Sequence, residues 1–400
     1  MATDPVEGIQ VEELDHGFST NLQAALREIA RLEPSTETPY LSIYLDWRPE
    51  GERPQRRSAK TLFDHQAAKM LDSHDEESTQ RKSVHNDVER ITEFLEDDLD
   101  PSVHGVIIIA NDGQDVFETF VLAMPVETRI THGPTPDLLP MARLVEDYPR
   151  YAVLLADAHD ATLEVINRAS RVQRVSIQGS EYPRYHKQGG WSQRRFQTRA
   201  IERRAHFVRA IAEETRRALY EGQIDKLIVA GNEPIRAVLN NEFHEEVKSR
   251  IIGEIGFDKR ASRAELIEST IDIVEQAERK EEAETLKALH DAVGSGNRGV
   301  VGVEPTLRAL ERGQVLKLVM SSEFHHDGWA DYTMQMFGVG PVPSHHPGGG
   351  DTANIYPIDI AEEMVRLTVV TDAEGEIIHE DGASPTRFEE QVGALLRFET

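Results

Sequence analysis

The sequence predicts an α/β protein built as three α/β domains in series. Three observations predict it. Its 400 residues exceed what one ordinary core takes up, which favours two or three domains. Apolar runs of strand length, such as Val106 to Ala110 and Ala152 to Ala156, alternate with stretches of helical apolar spacing. The segment Gly294-Ser295-Gly296-Asn297-Arg298-Gly299 reads as a linker between two such stretches. The boundaries that follow are 1–147, 148–296 and 297–400.

In the first domain a polar leader precedes a helix marked by Leu22, Ala25, Ile29 and Leu32. Leu41 to Asp46 reads as a strand and Arg48 to Arg57 as a Pro- and Arg-containing loop. Helices are expected near 58–72 and 78–98. Gly105 to Ala110 and Val116 to Ala123 flank an Asn-Asp-Gly turn, as in a hairpin. The second domain opens with strands at 151–157, 161–166 and 172–177. A polar, Gly-containing loop is expected over 182–195 and a long helix over 197–220. In that helix Ile201, Ala205, Val208, Ala212 and Leu219 form an apolar stripe, with the arginines mainly off it. A strand at 226–230 and helices near 234–251 and 262–293 complete the domain. In the third, Glu304-Pro305 opens a helix that Gly313 closes. A strand over 315–320, a Gly/Pro/His-rich loop over 338–352, a helix over 357–363 and strands over 365–371 and 376–379 follow.

Composition removes several chemistries. There is no cysteine, so disulfides, thiolate zinc sites and cysteine nucleophiles are excluded. No apolar run reaches membrane-spanning length, and the first residues lack the basic-then-apolar layout of a secretory signal. A cytoplasmic monomer without membrane contact is expected. Neither a cofactor nor a metal is called for.

The net charge of −27 speaks against a general nucleic-acid binder, because an acidic surface repels phosphate. The average conceals a reversal. Between Arg184 and Arg217 ten basic residues face three acidic ones, a local charge of +7 that leaves −34 for the rest. A weaker basic cluster, with Arg56 and Arg57 at its centre, spans Arg48 to Lys60. A charge run is usually a solvated helix face; this contrast in sign points instead to an anionic partner.

The segment Tyr185-His186-Lys187-Gln188-Gly189-Gly190-Trp191-Ser192-Gln193-Arg194-Arg195-Phe196 carries the chemistry. Paired glycines give backbone freedom and close approach to a ligand. A glutamine offers a donor and an acceptor without charge, and can orient a water toward an ester carbonyl. Backbone N–H groups of such a loop can stabilise an oxyanion. On residue chemistry alone a flexible surface loop remains the ordinary reading.

The order of elements resembles class-I release factors of archaea and eukaryotes and their relative Pelota. In those proteins a Gly-Gly-Gln loop enters the peptidyl-transferase centre and an Arg-rich helix follows it. The run from Arg195 through Glu202-Arg203-Arg204-Ala205-His206-Phe207-Val208-Arg209 is similar to that helix, and Leu227-Ile228-Val229-Ala230-Gly231 to the family's next strand. Gly302-Val303-Glu304-Pro305 through Gly313 resembles the opening helix of its third domain, and Val392 through Phe398 its closing strand. The resemblance implies an RNase H-like middle domain and a third domain similar to kink-turn-binding ribosomal proteins. It implies the ribosome as partner, through rRNA and peptidyl-tRNA, with delivery by a translational GTPase.

By that resemblance Gly189, Gly190 and Gln193 are catalytic-loop residues and Ser192 a positioning residue. Arg184, His186, Lys187, Trp191, Arg194, Arg195, Arg199, Arg203, Arg204, Arg56 and Arg57 are RNA-binding candidates. Trp191 has a second use, anchoring the loop to its own domain. Trp191 and Ser192 separate the glycines from Gln193. That spacing is closer to the Gly-x-Ser-Gln loop of Vms-type (ankyrin-zinc-finger) peptidyl-tRNA hydrolases. No Asn-Ile-Lys-Ser segment of the kind used to read stop codons occurs, so codon-independent release is expected. The alternative is a non-catalytic ribosome-hibernation factor of the Balon type. The pairs His325-His326 and His345-His346, near Asp327 and Asp351, read as exposed loop rather than metal ligands, and Asp157 and Asp160 alone do not make a two-metal nuclease.

Overall fold

The computed structural model describes residues 10–14, 22–49, 57–96, 99–100, 103–157, 160–166, 173–178, 191–256, 263–296, 298–379 and 388–398. At 10–14, 173–178, 191–204 and 263–264 it describes the backbone alone. In chain order the elements begin with β1 (Gln10–Leu14), α1 (Leu22–Ala30), β2 (Tyr40–Asp46), α2 (Ser58–Asp72), α3 (Thr79–Glu96), β3 (Gly105–Asn111), β4 (Val116–Leu122), β5 (Arg129–Gly133) and α4 (Leu139–Asp147). They continue with β6 (Tyr151–Ala156), β7 (Asp160–Ile166), β8 (Gln173–Gln178), α5 (Trp191–Glu221), β9 (Lys226–Gly231), α6 (Glu233–Glu242), α7 (Glu245–Lys248), β10 (Ile251–Ile255) and α8 (Arg263–Ser295). The last are β11 (Gly299–Val301), α9 (Val303–Glu311), β12 (Val315–Ser321), β13 (Asp327–Asp331), β14 (Met336–Val339), β15 (Tyr356–Asp359), α10 (Ile360–Val370), β16 (Glu374–Ile378) and β17 (Val392–Leu396).

These elements form a mixed α/β fold with four sheets, divided between two compact units. One unit comprises residues 1–19 and 149–278, the other 20–148 and 279–400.

The first unit has a six-stranded sheet in the order β1-β8-β7-β6-β9-β10. β6, β9 and β10 run parallel, whereas β7, β8 and β1 each run antiparallel to their neighbour. Strands buried on both faces read as continuous apolar runs, which is why Tyr-Ala-Val-Leu-Leu-Ala and Lys-Leu-Ile-Val-Ala are legible in the sequence. Alternate side chains serve opposite cores. Leu154, Leu163 and Val229 pack with Phe207, Val208 and Ile211 of α5, and Val153 and Ile228 pack with Leu266 and Val274 of α8. Gly231 ends β9 with φ +155°, and a Cβ there would lie 2.4 Å from the Ala156 carbonyl oxygen. Only glycine lets the two strand ends approach this closely.

Among the described residues the second unit contains three sheets. β4-β3-β2-β5 is fully antiparallel. One face buries Leu41, Ile43, Leu45 and Ile108 against Phe63 of α2 and Ile91 of α3. On the other face the buried Tyr44 hydroxyl donates to the Asp137 carbonyl oxygen at 2.6 Å. The sheet β11-β17-β12-β16 packs Val319 and Ile378 against Leu286 and Leu289 of α8 and against Phe388. A small sheet, β14-β13-β15, completes the unit.

Several expectations need correction. The segment read as a polar leader contains β1, which pairs with β8 in the first unit rather than joining the N-terminal sheet. The stretch 234–251 is not one helix: α6 ends at Glu242, α7 is a single turn, and β10 follows. The expected strand over 365–371 is the body of α10. Its Val and Thr residues favour strands locally. Burial of Ile360, Ala361, Met364, Val365 and Leu367 along a helix, with Asp359 capping the Ala361 N–H at 2.9 Å, overrides that preference. Part of the loop expected over 182–195 is helix, since α5 starts at Trp191; residues 182–190 lie outside the described residues. Gln193, Arg194 and Arg195 are good helix formers and continue the helix toward the glycines.

Candidate functional site: the start of the long helix and the cavity of the second unit

The backbone of α5 carries the chain from Trp191 to Glu221, 31 residues and about 46 Å at helical rise. Trp191, Ser192 and Gln193 occupy its first turn, and Arg194, Arg195, Arg199, Arg203 and Arg204 the turns that follow. The first N–H groups of a helix have no partner within it and carry the positive end of its dipole. Gln193 therefore sits where backbone donors and a positive field coincide. Arg184, His186, Lys187, Gly189, Gly190 and Arg56 lie outside the described residues.

The C-terminal half of α5 explains how the helix is held. Phe207, Val208, Ile211, Ala212 and Leu219 are buried, so Val208, Ala212 and Leu219 of the expected stripe are in place. Phe207 and Ile211, four residues apart, widen the buried face beyond the stripe read from the sequence. Further along, basic charge is neutralised locally. Arg216 pairs with Glu213 at 2.6 Å and Arg217 with Glu214 at 2.6 Å. Arg57 is half-buried: Nη1 donates to the Trp47 carbonyl oxygen at 2.5 Å and the guanidinium lies 5.7 Å from the Trp47 ring centroid. These contacts fix the side chain against Trp47 and leave its charge without an acidic partner among the contacts described.

The histidine pairs separate into distinct roles. His346 is buried: Nε2 lies 2.9 Å from Asp331 Oδ2, and Nδ1 accepts from the Gly348 N–H at 3.0 Å. That pattern assigns the proton to Nε2. Burial would raise the Asp331 carboxyl, but donors from the Met334 N–H, His346 and Thr333 hold it below the usual carboxylate range. His345 meets Ser344, at 3.0 Å. His325 Nδ1 lies 2.6 Å from Asp359 Oδ2, and its Nε2 lies 3.3 Å from Arg143 Nη2. Among the described residues no three His, Asp or Glu side chains gather as a metal cluster. Asp157 and Asp160 close the β6–β7 turn, the Asp160 N–H donating to Asp157 Oδ1 at 2.9 Å.

Within the second unit a cavity of about 700 Å³ is bordered by β5, the segment after it, β15 and the start of α10. Sequence reasoning misses it, because its walls come from residues more than 180 positions apart. At its edge Arg129 donates to Asp137 Oδ2 at 2.5 Å and to Glu362. Burial pushes the Glu362 carboxyl up to about 8, the neighbouring Asp137 charge pushes it the same way, and Arg129 opposes both.

The fold and the helix define the class first: a multi-sheet α/β protein whose six-stranded sheet carries a long, basic-headed helix. Residues 136–275, which include all of β6 to β10 and α5, match the model of bacterial archaeo-eukaryotic release factor family 10. Over those residues the chain is similar to the archaeal/eukaryotic release-factor superfamily. Peptide chain release factor subunit 1 of Thermococcus kodakarensis is 24% identical over 286 residues, 65% of this chain and 68% of that one. The Archaeoglobus fulgidus protein of the same name is 21% identical over 344 residues, 80% of this chain and 84% of that one. Among solved structures, Saccharomyces cerevisiae Dom34, described as a translation termination-like factor, matches with a TM-score of 0.40 at 8% identity, covering 98% of this chain and 96% of that one.

Proposed function

We propose that the protein acts on the ribosome as a release-factor-like hydrolase, freeing nascent chains from peptidyl-tRNA without reading a stop codon. In this reading the segment Gly189 to Gln193 enters the peptidyl-transferase centre. Gln193 holds a water against the ester carbonyl; water adds, the ester bond breaks, and the tRNA 3′-hydroxyl leaves with a proton. Gly189 and Gly190 supply backbone donors for the oxyanion, and Ser192 positions the segment. Arg184, His186, Lys187, Trp191, Arg194, Arg195, Arg199, Arg203 and Arg204 contact RNA, rRNA and tRNA being the anionic partners. A translational GTPase delivers the protein, which works in the cytoplasm as a monomer.

One observation carries most of the support. The family match over 136–275 encloses the Gly-Gly-Trp-Ser-Gln segment, and its last three residues form the first turn of a basic-headed helix. The test is release of labelled peptide from stalled ribosome–nascent-chain complexes, wild type beside Gln193→Ala, with co-sedimentation scored in the same samples. Loss of release with binding retained is expected; undiminished release by Gln193→Ala would falsify the role given to Gln193.

A second reading rests on the helix boundary. Because α5 begins at Trp191, Gln193 belongs to a helical turn rather than to a free loop, and two residues separate it from the glycines. A ribosome-occupying hibernation factor that binds without chemistry fits that placement. Binding with no release by either protein would select it.

A further inference from the structure

The cavity of the second unit is edged by two carboxyl groups that share one cation. Asp137 lies between β5 and α4; Glu362 stands in the first turn of α10. Arg129 Nε donates to Asp137 Oδ2 at 2.5 Å, and its Nη2 donates to Glu362 Oε1. Asp137 is 4% exposed, and its other oxygen, Oδ1, is buried without a hydrogen-bond partner. Arg129 thus holds both carboxyl groups on one guanidinium. Two ionised carboxylates have no donor between them, and a buried acceptor left unmatched is costly. A proton on one of them removes the repulsion and supplies the missing donor.

We propose that one proton shared by Asp137 and Glu362 locks the N-terminal α/β sheet of this unit to helix α10, and that losing it opens the cavity between them. The groups facing the pair are consistent with a single titration. Tyr44 of β2 donates to the Asp137 backbone, Arg129 of β5 bridges the carboxyls, and Asp359 at the start of α10 is occupied by His325, itself beside Arg143. His132, His326 and Asp327 also border the cavity. Burial, and then the Asp137 charge, push the Glu362 carboxyl up to about 8, against the opposing Arg129. A carboxyl raised in this way favours the folded unit below its ordinary range, near 4.5, and that stabilisation is lost as pH rises to about 8.

The sequence contains no cysteine, so two introduced thiols label cleanly. Glu118 of β4 and Arg312 after α9 are both exposed. Full-length Glu118→Cys/Arg312→Cys protein, spin-labelled, reports their separation by pulsed dipolar spectroscopy at pH 7 and pH 9. A narrow distribution at pH 7 that broadens or lengthens at pH 9 is expected. Adding Glu362→Gln, whose amide donates where the proton did, keeps the narrow distribution at both pH values. Asp137→Asn, which places a donor on the other partner, does the same and serves as an independent variant. A distribution unchanged by pH overturns the proposal. So does a pH response that survives in both variants, since another group, such as one of the cavity histidines, would then be titrating.

Discussion

His379 Nε2 lies 2.6 Å from Asp147 Oδ1, and the same ring reaches Glu282 Oε1 from Nδ1 at 3.3 Å. One imidazole thus joins the end of β16 to the last residue of α4 and to α8. Both carboxylates favour its charged form. Hydrogen bonds to Asp147 and then Glu282 raise its pKa to about 10, against the opposing effect of burial.

A base whose pKa is raised on folding stabilises the fold fully below its ordinary value, near 6.5, and loses that contribution as pH rises through about 10. His379→Gln is therefore expected to lower stability at pH 7 by about 1 kcal/mol, discounted because the ring is partly exposed. The difference between the two proteins should vanish above pH 10. Thermal midpoints across pH 6 to 11 check this; a gap that does not depend on pH would assign the loss to packing instead.

The His346–Asp331 pair is more deeply placed, with side-chain exposures of 1% and 0%. His346→Ala would leave a buried carboxylate oxygen without its donor, at a cost of about 2–3 kcal/mol. His346→Gln, which retains an N–H donor, should recover part of it. Denaturant midpoints of the three proteins decide the matter, and equal losses in both variants would count against the hydrogen bond.

Gly231 makes a sharper steric prediction. Alanine would put a methyl group 2.4 Å from the Ala156 carbonyl oxygen, so the parallel β6–β9 pair must separate at that end. A loss of about 1–3 kcal/mol is expected. Chemical denaturation of Gly231→Ala with an unchanged midpoint would mean that the strand ends yield freely.

The division of charge along α5 predicts a contrast between a triple and a double variant. Arg199→Ala, Arg203→Ala and Arg204→Ala together should weaken ribosome binding and flatten its salt dependence by about 0.7–0.9 logarithmic units for each phosphate no longer neutralised. Arg216→Ala with Arg217→Ala should change the slope little, because those side chains are already paired with Glu213 and Glu214. Co-sedimentation across a salt series measures both slopes; similar effects in the two variants would remove the distinction.

Much of the local structure is legible in the sequence. Tyr40–Asp46, Gly105–Asn111 and Tyr151–Ala156 announce themselves because both faces of each strand are covered, leaving uninterrupted apolar runs. What escapes is set by neighbours distant in sequence. Val365 to Val370 favours strands by residue type, yet becomes helical because the surrounding core buries it in that form. β10 is short and half-buried, too brief for its pattern to outweigh the preceding helices. At the candidate site, motif and charge locate Gln193 and the arginines along the chain but not the first turn of α5. The Arg129–Asp137–Glu362 cluster has no signal at all, because Glu362 lies 233 positions from its cation.

The pairing of β1 with β8 has a consequence for synthesis. Gln10–Leu14 emerges from the ribosome well before Gln173–Gln178 exists to receive it, and the second unit begins at Thr20 but closes only with strands made after residue 279. Neither unit is a continuous stretch of polypeptide, so vectorial translation cannot complete one before starting the other. While β1 waits for β8, the nascent chain already carries the β4-β3-β2-β5 sheet, whose last strand ends at Gly133. A stall between residues 148 and 279 would leave the second unit without its C-terminal half.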